Sequence, residues 1–202
     1  MIHVFIESSK EKGNEAQFVN TYVKHLSKGT VNVDVVPVKG RENLKNFTSK
    51  IQEFTDQGDT VLVIFDCDSP PRGGFFNRTQ EMEDFKKKIG IDFDYFFFPD
   101  NKSDGEFEDL LIKIINPKHG DLMRCFDCYE NCLSNLPFKS CYELPDSKKR
   151  IYDYIASFKR SNSQRDAFKN EHDWGFDNPE YWNLDSPALD PLKSFLSKHL
   201  ER

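Results

Sequence analysis

Two aspartates separated by one residue, Asp66 and Asp68, close the apolar run Val61-Leu62-Val63-Ile64-Phe65. In an extended chain, residues two apart project from one face. The pair therefore predicts two hard oxygen donors side by side, with Cys67 turned into the packing. Such donors suit Mg2+, which takes one or two carboxylates and keeps several waters. Glu7 ends a second apolar run, Ile2 to Ile6, and could act as a general acid or base or complete the metal site. A third run, Phe93 to Phe98, leads into Asp100, Asp104, Glu106, Glu108 and Asp109. Glu106 and Glu108 are candidates for a second metal or for contacts around the first one. Asp109 suits the start of a helix over 105–115, where the dipole favours acids. Glu15 is expected to be a first-turn acid for the same reason. The bland alternative for the aspartate pair is a solvated strand end, because Asp is common in turns.

Other constellations carry less chemistry. Cys125, Cys128, Cys132 and Cys141 have spacing that permits zinc. The first three fall in a helix-like stretch over 121–134, however, where small buried hydrophobes are the expected role of cysteine. From Lys148 to Lys169 there are seven basic and two acidic residues, a local net of +5 against −6 for the whole chain. Lys148, Lys149, Arg150, Lys159 and Arg160, interleaved with Tyr152, Tyr154 and Phe158, are candidate nucleic-acid contacts. The competing reading is a helix whose aromatics are core and whose charges are a solvated face. Lys86, Lys87 and Lys88 on helix 77–89 carry the same ambiguity. The five histidines show no ligand spacing, Gly73-Gly74 is a turn, and no phosphate-binding G-x-x-x-x-G-K-[ST] segment is present.

The elements that must position these residues follow from periodicity. The chain has 202 residues, 37% hydrophobic and 31% charged, with 19 phenylalanines supplying much of the core. Apolar runs at 2–6, 31–38, 61–65 and 93–98 alternate with helical stripes over 14–26, 41–54 and 77–89. This β-α alternation predicts an α/β fold, Rossmann-like, with a mostly parallel four-stranded sheet and helices on both faces. In such sheets ligands sit outside the carboxyl ends of the strands, where Glu7, Asp66 and Asp68 fall. The division expected is an α/β domain over 1–116 and a helical extension over 117–202 packed on it. Ser186-Pro187 is expected to open the last helix. The chain opens directly on strand-like sequence with no basic-then-apolar leader. No apolar stretch approaches the roughly 20 residues of a membrane helix. A cytoplasmic protein without membrane contact is expected.

The segments Val4-Phe5-Ile6-Glu7, Gly13-Asn14-Glu15-Ala16-Gln17-Phe18 and Val61 through Asp68 resemble the Toprim domain, over roughly residues 1–100. The segments Phe96-Phe97-Phe98-Pro99 and Gly105 through Leu111 resemble a branch of small bacterial Toprim-like proteins related to overcoming-lysogenization-defect nucleases. The resemblance implies Mg2+- or Mn2+-dependent phosphoryl transfer on DNA or RNA, with Glu7 as acid/base and Asp66 and Asp68 on the metal. A nuclease with a role in phage defence is its most specific form. It also leaves room for a protein partner such as an ATPase. Ser8 and the loop to Lys12 depart from the family's glycine after the glutamate. The alternative is a non-catalytic Toprim-like module that binds nucleic acid, a nucleotide or a protein. A phosphatase-like enzyme with Asp66 as nucleophile fits less well, because such folds begin at their D-x-D strand.

Overall fold

A computed structural model describes residues 1–8, 13–171 and 173–200. Of the loop from Ser8 to Lys12, residues 9–12 lie outside them. Strands β1 (Ile2–Ile6), β2 (Asp34–Pro37), β3 (Thr60–Asp66) and β4 (Asp94–Phe98) form one sheet in the order β2-β1-β3-β4. Every pairing is parallel, with Ile6 beside Ile64 and Asp66 beside Phe98. The central strands β1 and β3 are buried almost throughout because both faces are covered, whereas β2 and β4 each begin with an exposed aspartate.

Alternation along the strands divides the core in two. Val4, Ile6, Leu62, Ile64, Phe96 and Phe98 face one layer; Phe5, Val61, Val63, Phe65, Cys67 and Phe97 face the other. The second layer is closed by α2 (Thr48–Asp56), the 3₁₀ helix before it (Arg41–Phe47), and α3 (Gly74–Ile89). Cys67 is fully buried there, as its place in the strand predicts.

The first layer is larger. It is closed by α1 (Asn14–Leu26), α4 (Phe107–Lys113), α6 (Ser147–Ala156) and α8 (Asp190–Leu200), with α5 (Gly120–Ser134) and α7 (Asn162–Asp166) further out. Trp174, Phe176 and Trp182, from the loop-like stretch before α8, are buried in this layer with Phe18 and Phe107. Residues beyond 116 thus complete the same core that covers the sheet. Ser186 caps the last helical segment by accepting from the Ala188 amide, at 3.3 Å, with Pro187 following. At the far end of the sheet His3 is buried between Asp34 and Asp59 and stacked on Phe54. Among the described residues no helix is long and apolar enough to cross a membrane.

Candidate functional site

β1 and β3 end at the same level, so Glu7 and Asp66 emerge together at the carboxyl edge of the sheet. Asp66 continues the alternation of Leu62 and Ile64 and enters the layer of α1 and α4. Its Oδ1 accepts the Phe107 amide at 2.7 Å, which fixes the start of α4 against the strand end. As a residue Asp66 is half-buried, but protein surrounds its carboxyl group closely. Desolvation, then the charges of Glu15 and Glu108, raise its pKa well above the ordinary aspartate range; Glu7 adds to the effect.

Glu15 stands in the first turn of α1, as expected, but it does not simply face solvent. Burial, followed by the charges of Glu108 and Glu7, pushes its pKa up to about 7. Glu108 is only 8% exposed, and its pKa is likewise raised, chiefly by burial. Glu7 is raised by burial and partly offset by Arg41, whose amide lies 3.4 Å from its Oε1. The Oε2 atoms of Glu7 and Glu15 are buried without a hydrogen-bond partner among the described residues. Four carboxylates are therefore gathered at one strand edge, and their proximity costs stability whenever all are ionised. Lys148, at the start of α6, is the cation that acts on both Glu15 and Glu108. Ser147 holds that end of α6 to α4 through a 2.6 Å hydrogen bond to Asp109.

Asp68 does not join this group, contrary to the expectation that it would project beside Asp66. Its backbone is left-handed, with φ of 64°, so the strand alternation ends before it. Its carboxylate is turned toward the other layer. Arg41 donates to its Oδ2 at 2.6 Å and Arg78 to the same atom at 2.9 Å, while Arg72 lies 4.0 Å from Oδ1. Gly73 makes room for this cluster. A Cβ added there would stand 2.4 Å from the Arg78 guanidinium carbon. Ion pairing thus occupies one of the two proposed metal aspartates. Glu106 is also engaged: it forms a capping box with Asp109 at α4 and an ion pair with Arg72. Of the two outer candidates only Glu108 belongs to the buried acidic group.

The basic segment separates in the same way. Arg150 is held by Asp127 at 2.6 Å and by Glu130 at 3.3 Å, joining α6 to α5. Arg160 donates to the Ile155 and Phe158 carbonyls and lies 4.5 Å from the centre of the Phe168 ring. Both arginines thus have partners within the chain. Tyr154 is buried, whereas Tyr152 is exposed. Lys148 and Lys149 line an open groove with Tyr129 and Tyr152, Lys149 being paired to Glu143 at 3.2 Å. Lys159 is exposed.

Cys125, Cys128, Cys132 and Cys141 are exposed free thiols, and the first three are therefore not the buried hydrophobes that their place in a helix predicts. Leu122 and Phe126 supply the packing of α5 instead. Among the described residues no group of three or more His, Cys, Asp or Glu side chains is placed to hold a metal ion. Glu15, Arg41 and Arg78 are the site residues that the sequence did not single out. The one available signal was Glu15, an acid eight residues after Glu7 at the head of the following helix. No curated protein and no solved structure matches the chain. A family model described as "Protein of unknown function (DUF3226)" matches residues 4–201. With nearly the whole length matched, the chain belongs to the DUF3226 family.

Proposed function

We propose that this is a Toprim-like protein that carries out Mg2+-dependent phosphoryl transfer on nucleic acid, most specifically as a nuclease working in the cytoplasm. One observation carries the reading: carboxylate oxygens on Glu7 and Glu15 that are buried and, among the described residues, unpartnered, beside Asp66 at the carboxyl edge of a parallel sheet. A divalent cation would relieve the crowding, and hard oxygen donors are the set that Mg2+ takes. Asp66 and Glu7 would hold it. Glu15 and Glu108 would receive hydrogen bonds from its waters, consistent with an ion that keeps much of its hydration. The bound cation would polarise a phosphoryl oxygen and lower the pKa of a water.

The chain's own residues would do the rest. Glu7, whose proton affinity burial raises above that of an ordinary glutamate, would be the group placed to pass a proton to a leaving oxygen. Lys148 lies where it would face a phosphate brought to Glu15 and Glu108. The engagement of Asp68 by arginines favours the second reading, a non-catalytic module, because it removes one of the aspartates that the Toprim resemblance places on the metal.

Calorimetric titration with Mn2+ separates these readings when joined to an activity assay. Micromolar to submillimolar binding is expected, weakened at least about tenfold in Glu7→Gln. Metal-dependent nicking of a supercoiled plasmid, lost in Glu7→Gln, supports the enzyme. Binding without nicking supports the module, and absence of Mn2+ binding sinks the metal site.

If the groove of Lys148 and Lys149 follows a phosphate backbone, K148E/K149E weakens binding of a labelled oligonucleotide. Two lost phosphate contacts should reduce the salt-dependence slope by roughly 1.4–1.8. Fluorescence anisotropy across a salt series checks this, and an unchanged slope removes both lysines from the interface.

A further inference from the structure

A cavity of about 310 Å³ opens between residues 41–45 and α3. Ligand pockets are typically about 300–1,000 Å³, with apolar walls and a few placed polar groups. Here Leu44, Met82, Phe85 and Phe97 form the apolar wall, and Arg41, Lys45 and Arg78 supply positive charge. We propose that this cavity is a nucleotide subsite, with a phosphate seated on Arg41 and Lys45 and the nucleoside against Phe85, Phe97 and Met82. The inference deepens the phosphoryl-transfer reading and rests on it for its biological sense, but the binding itself needs no metal.

The cavity adjoins the candidate site through one residue. The Arg41 amide meets Glu7 while its guanidinium meets Asp68. A guanidinium carries five N–H donors. Asp68 accepts from one nitrogen of Arg41, and Glu81 is 3.9 Å from another. Donors remain for an incoming phosphate, which guanidinium binds with charge-assisted hydrogen bonds. Arg78 is the fixed base of the arrangement. It is only 6% exposed, it grips both Glu81 oxygens at 3.0 and 2.8 Å, and its Nε is buried without a partner among the described residues.

This cluster is built on unfavourable backbone. Asp68 is a non-glycine residue at φ of 64°, and Gly73 at φ of 140° lies directly under Arg78. Strain of this kind persists where the surroundings enforce it and is concentrated at ligand-binding and switch regions. Asp68 then acts as a positioning residue for Arg41 and Arg78 instead of a metal ligand. Glu42 and Glu81 at the cavity wall offer acceptors for ribose hydroxyls.

The test is calorimetry on the full chain in EDTA, with adenosine 5′-monophosphate, inorganic phosphate, adenosine and a 5′-phosphorylated trinucleotide as probes. Submillimolar binding of the monophosphate is expected, with phosphate and adenosine each at least about tenfold weaker. Arg41→Gln should weaken the monophosphate at least about tenfold, and Phe85→Ala should weaken it while leaving phosphate binding unchanged. Arg41 and Phe85 are only partly buried, and circular dichroism confirms that each variant is folded. Tighter binding of the trinucleotide identifies a nucleic-acid 5′ end as the source of the phosphate; tighter binding of the mononucleotide identifies a free nucleotide. No binding of the monophosphate up to about 10 mM, or equal binding by parent and both variants, overturns the proposal. Because EDTA removes divalent metal, failure here leaves Mn2+ binding to be judged separately, and failure of Mn2+ binding leaves this result standing.

Discussion

Asp66→Asn should make the metal-free protein more stable at pH 8 while abolishing its stabilisation by Mg2+ or Mn2+. Asparagine keeps an oxygen that accepts the Phe107 amide and keeps the side-chain shape. It removes a charge that sits among Glu15, Glu108 and Glu7. A buried charge without a compensating partner is costly. For a domain of this size each 1 kcal/mol moves Tm by about 2–4 °C, so a rise of at least about 3 °C is expected. The parent should gain a further ~2.7 kcal/mol at a metal concentration one hundred times its dissociation constant. The variant should gain almost none.

The pH dependence fixes the sign of the first effect. Glu15 titrates from an ordinary value of 4.5 in the unfolded chain to about 7 in the folded one, and Asp66, Glu7 and Glu108 are shifted in the same direction. The folded protein therefore binds more protons than the unfolded chain across this window. The stability contributed by Glu15 is fully present below about pH 4.5 and is lost as pH rises through about 7, and Asp66, Glu7 and Glu108 change stability in the same direction. Asp66→Asn removes one share of that loss and one source of repulsion on Glu15. The difference in Tm between variant and parent should widen from pH 5 to pH 8. Thermal scans with and without metal at three pH values test both halves, and a variant less stable than the parent at pH 8 refutes the crowded-carboxylate account.

Removing residues 117–202 should abolish cooperative folding rather than leave a smaller α/β domain. Eleven of the buried residues in the layer that covers Val4, Ile6, Leu62 and Ile64 come from beyond residue 116, among them Tyr154, Trp182 and Leu192. Each such side chain contributes about 1.5–3 kcal/mol by burial, and a whole domain is stable by only about 5–15 kcal/mol. The truncated chain would also expose Phe18, Phe107 and Phe98 as one aromatic patch. Broad or absent thermal transitions with strong binding of a hydrophobic dye are expected. A sharp transition in the 1–116 fragment would show that the sheet and its first helices are an independent domain.

How much of this was legible in the sequence differs by element. The four parallel strands were legible because runs such as Val61 to Phe65 are apolar on both faces, which only a doubly covered strand requires. The helices at Asn14–Leu26 and Asp190–Leu200 were legible from their apolar stripes. Boundaries were less so: residues 41–47 wind as a tighter helix before α2, and β2 is shorter than its β-branched run. The exposure of Cys125, Cys128 and Cys132 could not be read from spacing. A helical stripe shows which residues share a face, not whether a neighbour covers that face.

The sequence by itself determined that Glu7 and Asp66 would meet, because both end apolar strands and parallel neighbours terminate at one edge. Only the tertiary structure decided the fates of Asp68, Glu15 and Glu108. A single left-handed residue sends Asp68 to arginines from positions 41, 72 and 78, across 27 residues in one direction and 10 in the other. Glu15 and Glu108 reach the cluster because α1 and α4 pack on the same sheet face. Strand periodicity is a local property of the backbone, so sequence carries it. Electrostatic crowding and ion pairing depend on distances between separate elements, and those are set when the helices pack.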